Sequence, residues 1–149
     1  MPRSHHWAWL LYLMNKEVHI MKIGTYFDDY EFACKCGRHG YDSDGHPILD
    51  HIIDKRLVDV LDAIRERIGQ PIEVLSGYRC PIHNAEVGGV SNSQHVEGTA
   101  ADITYNGINV DYLAEVAEEC GADGIGCYYH QDFVHVDVRG YAARWNDLD

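Results

Sequence analysis

The chain has 149 residues, 46% apolar and 24% charged, which suits one globular domain able to bury a core of its own. It carries 12 Lys and Arg against 24 Asp and Glu, a formal net charge of −12, so nucleic acid and anionic membrane surfaces are disfavoured as partners, both being bound chiefly through basic side chains. No run reaches the roughly 18 apolar residues of a membrane span, and the five cysteines, an odd number with Cys34 and Cys36 nearly adjacent, read as reduced thiols.

The hydrophobic run "WAWLLYLM" follows a weakly basic "MPRSHH" but leads into "NKEVH", without the small-residue cleavage site of a secretory signal. Met21 looks like an alternative start, which makes residues 1–20 an N-terminal extension and 21–149 a single domain. In "FDDYEF", Asp28 and Asp29 are placed to cap a short helical turn. The loop "CGRHGYDSDGHP" follows; its "DSDG" lacks the remaining ligand positions and closing glutamate of a calcium loop and reads as a turn.

Apolar residues at Leu49, Ile53, Leu57, Val60, Leu61, Ile64 and Ile68 predict a helix with one buried face, ended by Gly69. After Pro71, "IEVLSGY" predicts a strand, and "RCPIHNAEVGGVSNSQ" a loop with one helical turn. "TAADITY" is a second strand and "NVDYLAEVAEECG" a second amphipathic helix. "GIGCYY" and "FVHVDV" form a last pair of strands joined by "HQD". The pattern predicts an α+β fold, a small antiparallel sheet with helices packed on it.

The stretch "HVEGTAAD" puts His95 and Asp102 at its ends. Seven steps of strand would separate them by about 23 Å. In a helix the separation would be about 10 Å. Joint ligation of one metal ion therefore requires the chain to fold back, and Gly98 can take the φ > 0 that such a reversal needs. Alternation in "FVHVDV" sends Val134, Val136 and Val138 to the core and Phe133, His135 and Asp137 to the other face. If that face is shared with Asp102, then His95, Asp102 and His135 converge as three ligands of a catalytic zinc with an open fourth position.

The strings "SGYR", "HN", "VGG", "SNSQHVEGTAADI" and "DFVHVD" resemble, in order and over roughly residues 25 to 140, the zinc D-Ala-D-Ala carboxypeptidases and their relatives among phage endolysin peptidases and vancomycin-resistance dipeptidases. The resemblance implies a hedgehog/D,D-peptidase-like fold and one Zn2+ per chain on His95, Asp102 and His135. It further implies Asp132 as general base, Arg79 as a catalytic and substrate-binding arginine, and His130 as a histidine that assists at the transition state. Ser93 is a further substrate-binding candidate. The implied activity is hydrolysis of an amide in a peptidoglycan stem peptide or related D-amino-acid peptide, carboxypeptidase-like or, alternatively, as an L-Ala-D-Glu endopeptidase. It would take place at the cell wall or periplasm, by a monomer. A non-catalytic zinc-bearing binding module is the rival from another class.

Asp132 lies three residues before His135, so a regular strand would turn it away from the metal. Asp132 and His130 therefore require a bend before the strand, and unbroken strand from 129 to 137 would rule both out. Asp137 reads either as a group that orients a ligand histidine or as a solvated acid. His83 reads as structural. "CKCGRH", with His46 and His51 nearby, is a poor second zinc motif for want of another cysteine pair, so Cys34 and Cys36 read as buried thiols. Cys80, Cys120 and Cys127 read as small core residues.

Overall fold

The computed structural model describes residues 22–41, 43, 45 and 52–148. The N-terminal extension, Met21, Asp42, Asp44, His46, Leu49 and His51 lie outside the described residues.

A 3-10 turn, Asp29–Phe32, opens the described chain, with the Glu31 carboxylate accepting from the Asp28 N–H at 2.7 Å. Helix α1, Lys55–Ile68, starts where the Asp54 side chain accepts from the Arg56 N–H at 2.9 Å and ends where Gly69 takes φ 77. Both are ordinary boundary signals: a carboxylate satisfies an orphan N–H at the start, and glycine takes the left-handed angle at the end. The capping aspartate therefore starts the helix after Ile53, later than the apolar spacing suggests.

Five strands follow: β1 Glu73–Ser76, β2 Ala100–Thr104, β3 Gly124–Tyr128, β4 Phe133–Asp137 and β5 Ala143–Asn146. Helix α2, Pro81–Glu86, lies between β1 and β2, and helix α3, Val110–Glu119, between β2 and β3. The sheet order is β1-β2-β4-β3-β5. The first four strands pair antiparallel, as the pattern predicts, but β5 adds in parallel beside β3 and makes the sheet mixed. Its sequence "ARWN" has no run of alternating apolar residues, because an edge strand half open to solvent needs none.

Helices α1 and α3 cover one face of the sheet. Leu57, Leu61, Ile64 and Leu113 from the helices pack with Ile103, Val134 and Val136 from the strands in one buried cluster. The period of two in β2 and β4 then delivers Asp102, His135 and Asp137 to the opposite face. No helix among the described residues is long and apolar enough to cross a membrane.

Candidate metal centre

The register of β2 and β4 sets Asp102 directly opposite His135. Facing residues on one side of an antiparallel pair stand close enough for their side chains to meet, and His135 Nδ1 lies 3.2 Å from Asp102 Oδ1. The third group arrives from the loop before β2. Gly98, at φ 75, reverses the chain, and its N–H reaches back to the His95 carbonyl at 3.3 Å. The turn is closed further by Ser93, whose Oγ accepts from the His95 N–H at 3.3 Å. His95 Nε2 thereby stands 3.1 Å from the same Asp102 oxygen.

The remaining nitrogen of each ring is already committed. His95 Nδ1 donates to the Gly77 carbonyl at 2.8 Å, and His135 Nε2 donates to Asp137 Oδ2 at 2.7 Å. Those bonds fix the tautomers, leaving His95 Nε2 and His135 Nδ1 with lone pairs aimed at one point. The three donor atoms lie within 4.8 Å of one another. Three acceptors converging in a buried place require a proton or a cation between them, and two imidazoles with one carboxylate suit zinc. Electrostatics agree. Burial works to raise the Asp102 pKa, but positive charge shared with His135 and His95 outweighs it and holds the carboxylate well below its ordinary range, as a proton or a cation between the three groups would.

Asp137 is completely buried, so it is not the solvated acid of the alternative reading. Arg139 supports it through Nε at 2.9 Å and a further nitrogen at 2.6 Å, and the Gly124 N–H donates at 3.1 Å. Here burial again opposes ionisation, and the bonds from His135 and Arg139 more than offset it, leaving the Asp137 pKa far below normal. A Cβ on Gly124 would lie 2.1 Å from Asp137 Oδ2, which is why β3 carries glycine there. One on Gly126 would lie 2.3 Å from Nε1 of Trp145, whose ring sits 4.9 Å from that of His135. Trp145 comes from β5, and the clue to it in the sequence was the paired glycine of "GIG", which leaves space on the functional face.

A cleft of about 800 Å³ opens over these three groups, lined among others by Arg79, Ser93, Tyr128, Gln131, Tyr141 and Trp145. Arg79 is half-buried, and burial lowers the pKa of its guanidinium, partly offset by the negative charge of Asp102. One of its terminal nitrogens is 3.5 Å from Ser93 Oγ, while its Nε has no hydrogen-bond partner among the described residues. His83 also lines the cleft, with Nδ1 3.8 Å from Glu86.

The turn 129–132 breaks the chain before β4, as Asp132 and His130 require. Asp132 takes φ 54, a left-handed angle uncommon outside glycine and asparagine, and its carbonyl accepts from Thr104 Oγ1 at 2.8 Å. Its side chain is exposed beside the cleft-lining Gln131 and Phe133. The His130 side chain is 70% exposed and its Nδ1 lies 3.0 Å from Asp147. The structure thus brings together His95, Asp102 and His135 with Arg79 and Ser93, and leaves the side chains of Asp132 and His130 outside the cleft wall.

A mixed sheet carrying two histidines and an aspartate with converging lone pairs, beside an open cleft, makes a candidate metal centre. The chain belongs to the peptidase M15 family, whose description matches residues 25–137. It is 33% identical over 100 residues, 62% of its length, to the peptidoglycan L,D-endopeptidase MepK of Escherichia coli K12, and 39% identical over 80 residues, 51% of its length, to the zinc D-Ala-D-Ala carboxypeptidase of Streptomyces albus G. A probable MepK of Haemophilus influenzae is 32% identical over 106 residues, 66% of this chain. The matches cover 54%, 31% and 56% of those proteins respectively, so the chain spans about half the length of the endopeptidases.

Proposed function

We propose that the chain is a zinc-dependent peptidase that hydrolyses an amide bond in peptidoglycan stem peptides at the cell wall or periplasm, acting as a monomer. The observation that carries this is the convergence of His95 Nε2, Asp102 Oδ1 and His135 Nδ1 within 4.8 Å at the floor of a cleft walled by Arg79. Zinc held by these atoms supplies a Lewis acid and makes solvent nucleophilic near neutral pH.

The chain's own residues do the rest. Arg79, in the cleft wall, offers its guanidinium to a substrate carboxylate or to the oxyanion that develops from the scissile carbonyl. Ser93, buried and bonded to both the His95 N–H and Arg79, shapes the loop that presents them. Asp132, on the turn at the cleft edge and with no side-chain partner among the described residues, rotates in to take the proton of the attacking water. As the amide C–N bond breaks, it returns that proton to the leaving amine. His130 contributes only if its pairing with Asp147 opens.

Incubating the chain with stem peptides, with and without a chelator, and weighing the products tests the reading. Loss of a terminal D-Ala identifies a carboxypeptidase, which a guanidinium in the cleft wall favours; an internal cut identifies an endopeptidase, as two of the relatives are named. Zinc-loaded protein that cuts neither bond would instead be a binding module.

A further inference from the structure

We propose that Cys34, Cys36, His39 and Cys80 form a second metal centre, a closed structural zinc site separate from the first. The thiols and the imidazole each offer a ligand atom, and these atoms lie within 4.8 Å of one another. Cys80 Sγ is 4.0 Å from Cys36 Sγ. Tetrahedral zinc with Zn–S near 2.3 Å requires sulfur atoms about 3.8 Å apart, so the observed spacing is that of ligands, while a disulfide requires about 2.05 Å.

The chain is shaped to make this meeting. Gly77 lets "SGYRC" lie against the end of the 3-10 turn, because a Cβ there would stand 2.6 Å from Phe32 Cα. The Tyr78 N–H then donates to the Phe32 carbonyl at 2.8 Å, and the Cys80 N–H points at Cys34 Sγ at 3.4 Å. A second N–H, from His83, points at Cys80 Sγ at 3.4 Å. Two of the three sulfur atoms thus each face a backbone N–H. Basic Lys35 and Arg38 flank the cluster, and Arg38 pairs with Glu86 of α2, which ties the loop down again.

Ordinary core thiols dissolve into the main hydrophobic cluster. These do not: Cys34 and Cys80 form a separate small cluster with Tyr78, against which Cys36 packs. Cys80 is therefore not the simple core residue that its sequence context suggests, and the missing second ligand pair is supplied by His39 and Cys80, 41 residues apart in the chain. A Cys3His set with no open position is a structural site. Its role is positional. It pins the loop bearing Lys35 to the segment bearing Arg79, and both residues line the cleft.

The full chain reconstituted with Co2+ tests this independently of any peptidase activity. An intense sulfur-to-cobalt charge-transfer band is expected, which a site of two histidines and an aspartate does not produce. The band should persist in His95→Ala and weaken in Cys36→Ser, a half-buried position that tolerates the change, and zinc should protect the thiols from alkylation. Absence of the band in reduced wild-type chain, thiols that alkylate freely with zinc present, or a disulfide among the three cysteines would overturn the proposal. Loss of peptide cleavage with the band intact would strike only the peptidase reading.

Discussion

His135 and Asp137 leave β4 on the same side, two residues apart, and meet through Nε2 and Oδ2 at 2.7 Å, with Arg139 clamping the carboxylate from behind. That bond decides which nitrogen of His135 faces Asp102, and so whether three lone pairs or only two converge. Asp137→Asn keeps the shape and removes the charge. Zinc affinity should fall on the order of 10–100-fold, the usual cost of losing such support. Competition with a fluorescent chelator measures it, and unchanged affinity would mean the carboxylate has no hold on the ring.

Glycine at 126 makes room for Trp145 as glycine at 124 does for Asp137. Gly126→Ala places a methyl group where the indole lies, and overpacking of this kind costs roughly 1–3 kcal/mol. The variant should unfold at lower denaturant concentration than wild type. It should also bind zinc less tightly, since Trp145 packs on His135.

Asp132→Ala should abolish hydrolysis, a drop of roughly 10²–10⁴-fold for a general base, while the bound zinc stays near wild-type content by elemental analysis. Activity that survives the change would move proton transfer to another group. Metal loss would place Asp132 among the ligands.

Arg79→Lys keeps the charge but removes the planar fork. If Arg79 grips a substrate carboxylate, KM should rise for peptides with a free terminal carboxylate and change little for the same peptides amidated. Equal effects on both substrates would point to a role at the oxyanion instead.

Asp54 caps α1, and its pKa is lowered, chiefly by the hydrogen bond from the Arg56 side chain. A depressed carboxylate contributes stability that is fully present above its unfolded value near 3.9 and lost as pH falls through the folded one. Asp54→Ala should therefore cost about 1 kcal/mol at pH 7 in denaturant melts, with the gap narrowing at pH 3 and below.

The sequence alone determined the helices and four of the strands, and it marked His95, Asp102 and His135 as candidates, because those signals are local. A period of two sorts Val134 from His135, a glycine stops α1, and a glycine at 98 permits the turn that His95 needs. Only tertiary structure decided that Asp102 stands opposite His135, since register is a property of two strands and neither records it. The same holds for β5, whose Trp145 reaches His135 from an edge with no apolar pattern, and for Cys80, which joins Cys34 and Cys36 through a close approach at Gly77. Asp137 shows the limit most plainly. Its place on the functional face was legible, but its complete burial and its grip on His135 depended on a glycine in one neighbouring strand and an arginine beyond its own, contacts that exist only once the sheet has closed around it.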